Sequence, residues 1–172
     1  MRVIGLDPGT RHTGWGVLDR VGTRISHVDH GIISPRESDP LAKRLVVIFD
    51  GITEVLERTK PDAAAVESIF FAKDASAAAK LGHARGVLLL VCAQAGLPVF
   101  EYPPARVKRT VTGSGRSDKA QVAQMMRAIL RLTEVPKADA ADALAVSLTH
   151  LQSAQSRAIV LDATGTKARV LR

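Results

Sequence analysis

A chain of 172 residues is long enough for one domain with a real core and too short for two ordinary ones. Hydrophobic residues make up 46%, which argues against wholesale disorder, and no apolar run approaches the roughly 18–20 residues of a membrane span. The formal charge of +7 suits a polyanionic partner and equally suits a plain basic surface, so charge by itself selects no function.

In chain order, Met1 to Asp7 lacks the layout of a signal peptide and reads as a strand ending in the turn Asp7-Pro8-Gly9. Residues 12–20 and 24–33 read as two more strands joined at Gly22. Asp39-Pro40 opens a helix whose stripe is Leu41, Leu45, Ile48, Ile52 and Val55, and Pro61-Asp62 closes it. Ala63 to Val66 is a strand stopping at Glu67.

A helix over 73–95 follows, capped by Gly96 and apolar nearly all round in its second half, so it should be covered on two sides. Cys92 lies in that apolar stretch and reads as a packed thiol in a reducing cytoplasm. Leu97 to Glu101 is a fifth strand. Ser117-Asp118 starts a helix with Val122, Met125, Ile129 and Leu132 on one face. Pro136 precedes a last helix over 138–152 with Leu144, Leu148 and Leu151 as its core stripe. Residues 154–172 are basic and weakly patterned, either a mobile tail or a small hairpin turning at Thr164-Gly165. The order of elements predicts an α/β layered domain over 1–153 with a mixed sheet.

Two apolar strands each end in a carboxylate, Asp7 and Glu67. If they are parallel neighbours, their carboxyl ends lie side by side, the edge where such sheets place their sites. Asp139 and Asp142 are three apart at a helix start and so point the same way. A helix N-terminus also favours acids for purely structural reasons. Four carboxylates in one cleft would repel unless a cation sits among them, and all-oxygen ligands suit Mg²⁺ or Mn²⁺ rather than zinc. His12, His27, His30, His83 and His150 show no metal-ligand spacing. A pair of hard cations can activate water and stabilise the leaving oxygen of a phosphodiester. A basic chain with an acidic metal site therefore points to nucleic-acid hydrolysis.

The blocks Ile4-Gly5-Leu6-Asp7-Pro8-Gly9-Thr10, Val66-Glu67-Ser68-Ile69-Phe70, Leu81-Gly82-His83-Ala84-Arg85-Gly86-Val87 and Ala138-Asp139-Ala140-Ala141-Asp142-Ala143-Leu144-Ala145 resemble, collinearly over about 1–153, the signature blocks of RuvC-type Holliday junction resolvases. The resemblance implies an RNase H-like fold, a five-stranded mixed sheet flanked by helices, and a homodimer acting on four-way junction DNA in recombination and repair. It implies Asp7, Glu67, Asp139 and Asp142 as catalytic acids holding two Mg²⁺ or Mn²⁺ ions per site. It also implies Lys108 and Lys119 as junction contacts, Phe70 as a base-stacking aromatic, and RuvA and RuvB branch-migration proteins as partners. The tail beyond 153 departs from the shorter members and has no assigned role.

Phe70-Phe71 just beyond Glu67 reads either as two core aromatics or as a wedge for an unstacked base; the resemblance assigns Phe70 to the wedge and leaves Phe71 packing inward. Arg106, Lys108, Arg109, Arg116 and Lys119 surround Gly113-Ser114-Gly115, either a solvated loop or a phosphate cradle before a helix. Among rival readings, an actin-like ATPase shares only Asp7-Pro8-Gly9-Thr10 and needs a second domain. Small RNase H-like nucleases of ribosomal RNA maturation share the acids but not the Phe70 segment. A non-catalytic junction binder would have no use for the complete acid set.

Overall fold

The computed structural model describes residues 1–68 and 75–164, without the side chains of 75–77 and 154–164. Three strands open the chain: β1 (Arg2–Asp7), β2 (Thr13–Val21) and β3 (Arg24–Ile33). Helix α1 (Leu41–Thr59) crosses to β4 (Ala63–Glu67), and α2 (Ala75–Gln94) crosses to β5 (Val99–Tyr102). Helices α3 (Pro104–Thr112), α4 (Lys119–Leu130) and α5 (Ala138–Thr164) complete the domain. The sheet order is β3-β2-β1-β4-β5, antiparallel across β1–β2–β3 and parallel across β1–β4–β5. This is the expected mixed five-stranded sheet.

Strand side chains alternate between faces, and each face has its own core. Ile4, Leu6, Val17, Ala64 and Val66 pack with Ile48, Ile52 and Val55 of α1 and with Ala84, Leu88, Val91 and Cys92 of α2. Val3, Leu18 and Ala65 pack on the other face with Val107 and Val111 of α3, Val122 and Met126 of α4, and Leu144, Leu148 and Leu151 of α5. Helix α5 lies unusually close to the sheet because Gly5, Gly14 and Gly16 face it. A Cβ at Gly5 would collide with the Ala143 carbonyl, and one at Gly14 with the Asp139 carbonyl. Ser147 Oγ, fully buried, donates to the Gly16 carbonyl at 2.7 Å and locks that contact.

Three expectations change. Of the bases around Gly113, read as a solvated loop or a phosphate cradle, Arg106, Lys108 and Arg109 lie on a helix, α3: Pro104 occupies a first-turn position and Gly113, at φ 77°, ends the helix with its N–H on the Arg109 carbonyl. On α4 the buried residues are Val122, Ala123 and Met126, while Met125 and Ile129 are about 40% exposed, so the helix docks one step round from the expected stripe. Helix α5 does not stop near 152 but runs on to Thr164, because neither Gly nor Pro interrupts 138–164. Gly165 lies outside the described residues.

Candidate active site

Parallel pairing of β1 with β4 sets Leu6 opposite Val66, which leaves Asp7 and Glu67 adjacent at the carboxyl ends of the two central strands. By the two-residue alternation both share the face of Val3 and Ala65, the face that α5 covers. The start of α5 is pinned there: Gly14 is the β2 partner of Asp7, and the Asp139 carbonyl packs directly against it. Asp139 and Asp142, three apart, then project into the same corner. All four carboxylates are partly buried.

Their electrostatics show the crowding. Burial, then the charges of Asp142 and Glu67, push Asp7 up to about 8 against the opposing pull of Lys119. Burial, then Asp142, push Glu67 up to about 7, with Lys119 and Lys108 opposing. The two lysines come from different helices. Lys119 opens α4, where Asp118 and Gln121 form a reciprocal capping box: Gln121 N–H donates to Asp118 Oδ1 at 2.8 Å and Asp118 N–H to Gln121 Oε1 at 3.1 Å. Its Nζ lies 2.9 Å from Asp142 Oδ2 and 3.8 Å from Asp139 Oδ1. Burial works against its charge, but the hydrogen bond to Asp142 and the surrounding acids outweigh it and raise the Lys119 pKa. Lys108, on α3, acts on Glu67.

The loop after β1 is also held in place. Thr13 Oγ1, buried, donates to the Gly9 carbonyl at 2.7 Å, and Arg44 of α1 donates to the Thr10 carbonyl at 3.3 Å. Arg85 of α2 pairs with Glu101 at 2.6 Å, and Glu101 is the β5 partner of Val66. Sequence reading missed these supports, although Arg85 lies within a recognised block. Of the basic cluster, Arg106 is structural: it stacks over Tyr102 and donates to Ser153 Oγ at 2.8 Å. Arg116 is exposed on the loop between α3 and α4, where Thr112, Ser114 and Ser117 hydrogen-bond one another. Phe70 and Phe71 lie outside the described residues. A cleft of about 1650 Å³ beside β3 meets the acid cluster only at Asp139.

The donor set is four carboxylates, of which burial and neighbouring charge keep Asp7 and Glu67 from ionising freely, and all-oxygen donors of this kind fit hard divalent cations. As they stand, no three Asp, Glu, His or Cys side chains among the described residues form a ready-made ligand shell. Lys119 pairs with two of the four acids, Asp142 and Asp139. A basic chain that gathers acids and lysines at one sheet edge is built as a hydrolase of polyanions. Residues 3–150 match the family described as "Crossover junction endodeoxyribonuclease RuvC". Among curated relatives, RuvC of Sorangium cellulosum is 61% identical over 96% of this chain and 92% of its own length. RuvC of Syntrophotalea carbinolica is 51% identical over 87% and 93%. The solved structure of Thermus thermophilus RuvC in complex with a Holliday junction substrate superposes with a TM-score of 0.84 at 38% identity, covering 91% of this chain and 96% of that one. The chain belongs to the RuvC family of crossover junction endodeoxyribonucleases and has its RNase H-like fold.

Proposed function

We propose that this chain resolves four-way DNA junctions by hydrolysing a phosphodiester at an acid centre made of Asp7, Glu67, Asp139 and Asp142. The carrying observation is the convergence of those four carboxylates from β1, β4 and α5, with Asp7 and Glu67 adjacent by strand register. Two Mg²⁺ or Mn²⁺ ions bound there would supply charge stabilisation and an activated water. Asp7, Glu67, Asp139 and Asp142 would hold the ions, with Asp7 and Glu67 adjacent at the ends of their strands. Lys108 and Lys119, both close to the acids, meet the phosphates next to the cut, contacts that position the backbone without reading bases. Arg116, exposed on the preceding loop, adds a further backbone contact. Phe70, three residues beyond Glu67, is the aromatic on which a splayed base stacks.

Two copies paired through α2 would present two such centres to a two-fold symmetric junction. Supporting this, Gly82, Gly86, Leu90 and Ala93 recur at helical spacing on the exposed side of α2, and Leu90 is 52% exposed. Receipt of the junction from RuvA and RuvB rests on family membership. Among the described residues no helix is long and apolar enough to cross a membrane. The test is cleavage of a mobile four-way junction against a linear duplex of the same sequence, with and without Mg²⁺ or Mn²⁺. Metal-dependent cutting of the junction alone is expected. Equal cutting of the duplex, or cutting in chelator, overturns the reading.

A further inference from the structure

We infer that Lys119 is a tethered cation occupying the place of one divalent ion in the DNA-free chain, and that metal loading requires its ammonium to leave Asp142 and Asp139. The inference rests on the reading of those acids as cation ligands and adds a step before catalysis. Its ground is geometric. The Lys119 ammonium is within hydrogen-bond reach of Asp142 and 3.8 Å from Asp139, on oxygens a divalent ion would need. Its backbone is fixed at the first position of α4 by the capping box, so the side chain always returns to the same corner.

The side chain itself is free to go. Lys119 is 62% exposed, against 20% for Asp142, so its head group has an open route to solvent. A lysine ammonium is a compact charge on a flexible stem and exchanges partners readily. On displacement the ammonium becomes available to a backbone phosphate. The same residue thus serves the acids before loading and the substrate after it. Lys108 differs: it pulls on Glu67 from α3 but forms no ion pair with the acids among the described contacts.

The experiment titrates Mn²⁺ alone into the DNA-free full chain, following free Mn²⁺ by electron paramagnetic resonance, for wild type and for Lys119→Met, Lys119→Gln, Lys119→Arg, Lys108→Met and Asp7→Asn. Thermal melting confirms that each is folded. Lys119→Met and Lys119→Gln should bind Mn²⁺ roughly fivefold more tightly than wild type, the size of a half-exposed ion pair removed. Lys119→Arg should behave like wild type, and Lys108→Met should change little. Unchanged or weaker binding by folded Lys119→Met and Lys119→Gln overturns the inference. An equal gain in Lys108→Met overturns it too, since that would be a general field effect. No Mn²⁺ binding by wild type, or full binding by Asp7→Asn, instead overturns the underlying assignment of the acids.

Discussion

The corner made by β1, β4 and the start of α5 is held very differently from the lobe of α3 and α4 beside it. In the corner, strand register and glycine contacts leave the acids almost no freedom: a single methyl at Gly14 would strike the Asp139 carbonyl. In the lobe, two short helices of nine and 12 residues carry Lys108 and Lys119, anchored by caps and a few buried side chains. The candidate acids are thus set by strand register and close helix–sheet contact, whereas the lysines reach them as long side chains from two short helices.

The sharpest way to break that contrast is Asp7→Asn. The variant should fold and bind junction DNA while cleavage falls by about a thousandfold or more, since a neutral amide does not supply the bridging charge. Its metal-free melting temperature should stay level or rise, because burial and the neighbouring charges disfavour an ionised Asp7. Cutting at the wild-type rate by a folded Asp7→Asn protein removes Asp7 from the centre.

Gly14→Ala probes the rigidity itself. Overpacking against Asp139 should cost about 1–3 kcal/mol in urea unfolding and also lower cleavage, because the start of α5 must move. Loss of stability with unchanged kcat would show that the position of α5 tolerates slack.

A smaller effect is expected from pH. Asp7 and Glu67 have folded-state pKa values of about 8 and about 7, raised above their ordinary values, so the folded chain holds protons the unfolded chain has released. Their contribution to stability is complete below the ordinary carboxylate range and is lost as pH rises through about 7 and then about 8. Metal-free melting should drop between pH 6 and 9 by on the order of 5 °C, and Mg²⁺ should restore it. A flat profile, or one that rises, contradicts the crowded corner. The least change is expected in the lobe: Lys108→Ala should leave stability within about 0.5 kcal/mol and reduce the salt dependence of junction binding by about one phosphate contact.

Much of the corner was legible beforehand. Strand alternation ending at Asp7 and at Glu67, and two acids three apart at a helix start, are local patterns that tertiary packing left intact. The lobe was not. Helix α3 is short, and its flanking Pro104 and Gly113 serve equally well in a loop. Helix α4 carries apolar residues on more than one side, so only docking selects Val122 and Met126 over Met125 and Ile129. The pairing of Lys119 with Asp142 was not legible either, because it depends on how α4 sits against α5, which no local pattern encodes.

The pairing of Leu6 with Val66 also fixes which face of the sheet carries Glu67. Slipping β4 by one residue would turn Glu67 to the opposite face and separate it from Asp7. The other two acids depend on α5 packing closely over Gly5, Gly14 and Gly16. A β4 out of register would therefore carry no adjacent pair of acids, however well the rest of the sheet were packed.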